Sequence, residues 1–242
     1  MKKTFTILCL AVSASLFTGS DSFAQKNAGD YLNTMSKEFE DISNEMWDYT
    51  SSVAHGKSAR KVENRRKDVL KAILDAQKRI GKMSDFEGDK ALRDSVLSFL
   101  KLDYYVINDD YAKIMDMEEL AEQSYDLMEA YMTAQQIAGE KLDKASEMVN
   151  EQVKLFAGLH NVKLVDSKDK TSRNLEIAGK AFAYYNKIYL IFFKSYKQEA
   201  YMIDALNKGD VNGLKQNLDA LAKTAAEGLQ KLDTMKAFKG DV

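Results

Sequence analysis

The sequence predicts an all-α protein, an elongated bundle of about six long helices, and three observations carry that reading. No proline occurs in 242 residues, and proline is the residue that punctuates loops and breaks helices, so its absence favours long helices joined by short turns. The chain is rich in Ala, Leu, Lys, Glu and Met, all good helix formers. Apolar residues recur at spacings of three and four through most of its length. The one extended-looking piece is Val162-Lys163-Leu164-Val165, too short to build a sheet on.

The first residues read as a leader. Lys2 and Lys3 precede an apolar stretch from Phe5 to Phe17, and Ser22-Phe23-Ala24 gives a small-x-small cleavage site. The apolar stretch is short for a membrane span. A lipoprotein leader would end on a cysteine, whereas Cys9 sits inside the apolar region. The expectation is cleavage after Ala24, no lipid anchor, and export to the periplasm, outer surface or extracellular space. Residues 25–242 then form a single helical domain with no transmembrane segment. Lys2, Lys3 and Asp21 leave with the leader, so 33 basic residues stand against 36 acidic ones. The only cysteine leaves too, which excludes disulfides, thiolate metal sites and a Cys nucleophile, so stability rests on packing.

The first helix is expected from about Gly29 to Val53, on the stripe Tyr31, Met35, Phe39, Ile42, Met46, Tyr49 and Val53. Trp47 lies off the stripe, as a second packing contact or an exposed anchor for a partner, the packing reading being favoured. His55-Gly56-Lys57 makes a turn, and Ser58 is the expected N-cap of a second helix reaching about Ile80. Between Lys57 and Lys82 ten basic residues face three acidic ones. A third helix is expected from about Lys90 to Met115. Asp116 with Glu119 then resembles a capping box opening a fourth toward Gly158, bent at Gly139 if at all. From Asp85 to Glu129 thirteen acidic residues face four basic ones, and this acidic region is expected to complement the basic second helix.

Asn161 is the expected left-handed stop before a polar connection. A fifth helix starts near Ser172 and carries eight aromatics between Phe182 and Tyr201. From Ile188 to Phe193 every side is apolar, so this helix is expected to be the buried spine of the bundle, with Tyr184, Tyr185 and Tyr196 covered by neighbours. Lys208-Gly209 ends it, and Asp210 caps a sixth helix to about Met235 with Leu214, Leu218, Leu221, Ala225, Leu229 and Leu232 as its stripe. Met83-x-x-Phe86-x-Gly88-Asp89 returns as Met235-x-x-Phe238-x-Gly240-Asp241, which suggests two related hairpins. In that motif Gly supplies an unusual dihedral and Asp is placed to cap a succeeding helix.

Motifs for chemistry are few. Ala54-His55-Gly56-Lys57-Ser58 has Ser51 where a P-loop needs its first glycine, and a helix where it needs a strand. What survives is a candidate anion or partner site at the start of the second helix, with Lys57, Ser58, Arg60, Arg65 and Arg66 around the helix amides. Nucleic acid is disfavoured by the net negative charge and the neighbouring acidic segment. Glu118, Glu122, Asp126 and Glu129 fall on successive turns, but no Glu-x-x-His pair accompanies them. The methionines at helical spacing read as core filling rather than copper ligands. No Gly-x-Ser-x-Gly is present, and no nucleophile, base and orienting group share a recognisable spacing. No metal or cofactor is expected.

Ser52-Val53-Ala54-His55-Gly56-Lys57-Ser58-Ala59-Arg60-Lys61-Val62-Glu63, Ser124-Tyr125-Asp126 and Tyr189-Leu190-Ile191-Phe192-Phe193-Lys194-Ser195-Tyr196-Lys197-Gln198-Glu199-Ala200 together resemble the leptospiral-type family of uncharacterised bacterial surface or exported helical proteins. The resemblance implies an envelope or surface location and carries over no functional residues. The functional expectation is a non-enzymatic exported protein that binds a protein or ligand. The alternatives are a carrier of a small anionic or amphipathic ligand, or a helical protein that unpacks its aromatic hairpin into a bilayer.

Overall fold

The computed structural model describes residues 23–165 and 170–238. These form α1 (Phe23–Ala54), α2 (Ala59–Gly81), α3 (Ala91–Tyr105), α4 (Tyr111–Ala121), α5 (Tyr125–Leu159), α6 (Lys170–Asn207) and α7 (Val211–Thr234), with a π turn, Val106–Asp110, joining α3 to α4. Because α3, the π turn and α4 follow without interruption, the described chain runs as six helical rods and is all-α as expected. Residues 162–165 form no strand, and among the described residues the one β pairing is the bridge between Phe86 and Asp89. The expected leader lies outside the described residues except for Phe23 and Ala24, which open α1.

Three reversals use one device. Gly56, Asn161 and Gly209 hold φ of 59°, 54° and 67°, the left-handed region that lets the next amide fold back over the helix end. Lys57 N then donates to Ser52 O at 3.0 Å, Val162 N to Ala157 O at 2.8 Å and Asp210 N to Ala205 O at 3.0 Å. Asp210 Oδ1 accepts from Gly213 N at 2.9 Å and so caps α7. Ser58 stands at the N-cap of α2, but only its carbonyl is used, by Lys61 N and Val62 N. In the motif after α2, Glu87 and Gly88 take positive φ, and Asp89 Oδ1 accepts from Ala91 N at 2.8 Å. Gly240 and Asp241 of the second copy lie outside the described residues.

One helix boundary differs from expectation. Asp116 does not open a helix; it lies inside α4, and the break falls at residues 122–124. There Ser124 Oγ accepts from Leu127 N at 3.2 Å, making serine the cap. Gly139 leaves α5 unbroken, since one glycine costs only about 1 kcal/mol in a helix held by neighbours.

The backbone divides into two compact units. The first comprises the chain up to Ala112 with Gln135–Gly179; the second comprises Lys113–Ala134 with the chain from Lys180 on. The first unit is organised by α1, which is buried over a broad arc. One stripe is apolar: Leu32, Met35, Phe39, Ile42, Met46, Tyr49 and Val53. About 100° round the helix a second buried stripe repeats every seven residues as Gly29, Ser36, Ser43 and Thr50. Side chains there are small and take up little room. Phe39 meets Phe99 of α3 at 5.8 Å between ring centroids, Tyr31 stacks on Phe156 of α5 at 5.6 Å, and Thr171 of α6 donates to Asn44 at 3.1 Å. Phe86 and His160 complete the aromatic cluster with Tyr31 and Phe156, closing that end of the unit.

Asp103 lies within this core. It is 1% exposed, and neither carboxyl oxygen has a hydrogen-bond partner. Burial alone pushes its carboxyl up to about 7, because the charged form loses its water. An unfolded chain releases that proton near pH ~3.9. Between the two values the folded chain holds a proton that the unfolded chain has lost. The contribution of Asp103 to stability is therefore fullest below pH about 4 and is lost as the pH climbs to about 7, by roughly 4 kcal/mol in total. Asp103→Asn keeps the shape and removes the titration. Urea unfolding at pH 5 and pH 8 is expected to show the variant more stable than the parent at pH 8, with most of the parent's difference between the two pH values gone.

Candidate interaction surface

The three arginines of α2 beyond its first turn are engaged within the protein. Arg66 donates from Nε to Glu63 Oε2 at 2.8 Å, from Nη2 to Glu63 Oε1 at 3.0 Å and from Nη1 to the carbonyl of Ile107 at 3.0 Å. That carbonyl belongs to the π turn, where the shifted register loosens the backbone ladder. The hydrogen bond from Arg66 holds the Glu63 carboxyl below its usual range, against burial that pushes it up. Arg65 pairs with Asp48 of α1 at 3.2 Å and with Asp68 at 3.4 Å. Arg79 reaches Glu38 of α1 from Nε at 2.7 Å.

Two expectations can be set beside this geometry. Of the five residues of the expected anion or partner site, Lys57, Ser58 and Arg60 are exposed at the start of α2, while Arg65 and Arg66 are paired with carboxylates further along the helix. The basic helix also finds its counter-charges in α1 and in itself, rather than in the acidic stretch from Asp85 to Glu129. Spacing along one helix shows which charges share a face but not which neighbour supplies the partner.

The surface that stands out lies in the second unit, on the hairpin of α6 and α7. The two helices are antiparallel, since each step along α6 is matched by a step back along α7. Ala205 lies against Gly213, Ser195 Oγ lies 3.5 Å from Thr224 Oγ1, Lys194 Nζ lies 3.3 Å from Glu227 Oε2, and Tyr184 meets Phe238 at 5.5 Å between ring centroids. Gly228 makes the close approach possible: a Cβ there would sit 3.1 Å from Ile191 Cγ2. The turn between α4 and α5 covers a different side of α6. Lys194 Nζ lies 5.5 Å from the centre of the Tyr125 ring, and Lys197 Nζ donates to the carbonyl of Glu122 at 3.1 Å.

A third side of α6 is left open. Tyr185, Tyr189, Phe192, Tyr196, Glu199, Ile203 and Leu206 alternate spacings of four and three, the seam that a helix offers to another helix. Phe192 is 60% exposed and Tyr196 43%; Tyr185, Ile203 and Leu206 are exposed as well. On α7 the buried positions are Thr224 and Gly228. The expected leucine stripe lies one residue further round, and Leu218, Leu229 and Leu232 are exposed. On an antiparallel pair, a rotation of about 100° in the same sequence sense brings both stripes to one side. The aromatic seam of α6 and the leucine seam of α7 therefore share one face of the hairpin.

This reverses the expectation of a buried aromatic spine. In the 182–206 stretch only Phe193 and Ala205 are buried, and the spine role falls to α1. Apolar residues on every side require cover, but the second unit has too few helices to supply it. Phe193→Ala, which empties a site 2% exposed, is expected to cost about 3–5 kcal/mol in urea unfolding. Phe192→Ala, one residue along, is expected to stay within about 0.5 kcal/mol for the monomer.

No family model matches the chain, and searches of curated proteins and of solved structures found no match for it either.

Proposed function

We propose that this is an exported, non-enzymatic helical protein of the cell surface or periplasm that acts by binding another protein through the shared face of α6 and α7. The observation that carries this reading is the exposed heptad of aromatic and leucine side chains, in a chain whose first unit has a well-covered core of its own. A contiguous apolar face on a folded protein marks an interaction site, and its spacing suits a helical partner. Export is supported by the leader-like first 24 residues. The resemblance to leptospiral-type surface proteins points the same way. A non-enzymatic reading is supported by the absence of any nucleophile, base and orienting group in recognisable spacing. The committed arginines of α2 leave the anion-carrier alternative with Lys57 and Arg60 as its free-standing cations, a weaker basis than the apolar face.

Photo-crosslinking in the producing cell tests this. A benzophenone side chain at Phe192 or Leu218 is expected to give discrete protein adducts in the envelope or medium fraction, and one at Arg60 to give none. Adducts from none of these sites, or from Arg60 alone, would remove the face from the proposal, and retention of the full-length chain in the cytosol would remove the export.

A further inference from the structure

We infer that the partner seated on the face of α6 and α7 is a second copy of this chain, the two hairpins closing into an antiparallel four-helix bundle. The inference rests on the proposed binding role of that face and names its occupant.

The first argument is self-complementarity. The face consists of two antiparallel helices, each presenting a seam of alternating four and three spacing on the same side. A two-fold axis parallel to the helices lays α6 of one copy on α7 of the other, again antiparallel. All neighbours in the resulting bundle then run in opposite directions, the arrangement in which seams of this spacing interdigitate. The seams also differ in bulk. The α6 side carries Tyr185, Phe192 and Tyr196, while the α7 side carries leucines interrupted by Ala225, so large faces small across the join.

The second argument is area. With 24 residues, α7 is about 36 Å long, and two helices side by side are roughly 19 Å across. One face thus offers on the order of 700 Å², and two close about 1,400 Å², inside the range of about 1,200–2,000 Å² for stable specific interfaces.

The test is the mass of the purified chain, residues 25–242, in solution. Sedimentation equilibrium at about 1–100 μM is expected to give a dimer. Phe192→Glu and Leu218→Glu place a charge in each seam at exposed positions, so the monomer fold survives; each is expected to weaken the dimer at least about a hundredfold with unchanged helical circular dichroism. A parent that is monomeric at 100 μM overturns the inference, as does a dimer indifferent to both substitutions. A monomeric parent that still crosslinks through Phe192 to a protein of different mass overturns the second copy and leaves the binding face standing. A monomer with no crosslink removes both. Binding of the monomer to phosphatidylglycerol vesicles through Phe192 would replace the second copy with a lipid surface.

Discussion

The first unit depends on α1 being covered along two adjacent stripes. A helix buried on one stripe needs only a partner of matching pattern, but a second buried stripe requires a neighbour to come close without a clash. Gly29, Ser36, Ser43 and Thr50 meet that requirement by being small, one every second turn. The remaining helices can then be arranged around a single rod. Phe39 takes the ring of Phe99, Tyr31 takes Phe156, and Asn44 takes the first turn of α6. Burial of polar atoms comes with the same packing. The hydroxyls of Ser36 and Ser43 are buried without a hydrogen-bond partner, so burial of this stripe comes with some loss of polar satisfaction.

Much of the fold is legible in the chain, and the reasons are local. Helix stops are decided by one residue's tolerance of positive φ, so Gly56, Asn161 and Gly209 mark their turns, and Asp210 its cap, with no knowledge of the rest. Boundaries fail where two local signals compete: Asp116 and Glu119 have the form of a capping box, yet Ser124 ends the ambiguity eight residues later because the π turn carries helix straight through Asp116. The identity of the central helix is hidden for a different reason. Aromatic density in α6 shows how much apolar surface there is to cover, not whether the chain has anything to cover it with. The true centre carries a quieter signal, small residues at sevenfold spacing beside an apolar stripe.

The candidate site obeys the same division. Lys57, Arg60, Arg65 and Arg66 share a stretch of α2, but ion pairing is settled between helices, and Asp48 and Glu63 take the two arginines that lie nearest the core. Arg66 shows how a basic residue that resembles a ligand group can serve the backbone instead, holding Glu63 on one side and the π-turn carbonyl of Ile107 on the other. The face of α6 and α7 is visible only once the antiparallel pairing fixes which leucines point toward α6 and which lie a quarter turn away.

The first unit is completed by two separated stretches of chain, with residues 113–134 contributing to the other unit in between. On a growing chain, α1, α2 and α3 meet early, through contacts close in sequence. The covering helices from Gln135 to Gly179 arrive only after a further few tens of residues, a delay of several seconds at about 5–20 residues per second. For that interval the nascent chain holds an incomplete core, a form that an unfolding-dependent export path or a holding chaperone can still engage. Once the last stretch is made, no prolyl bond stands in the way, so completion does not wait on the slow isomerisation that takes about 10–100 s elsewhere.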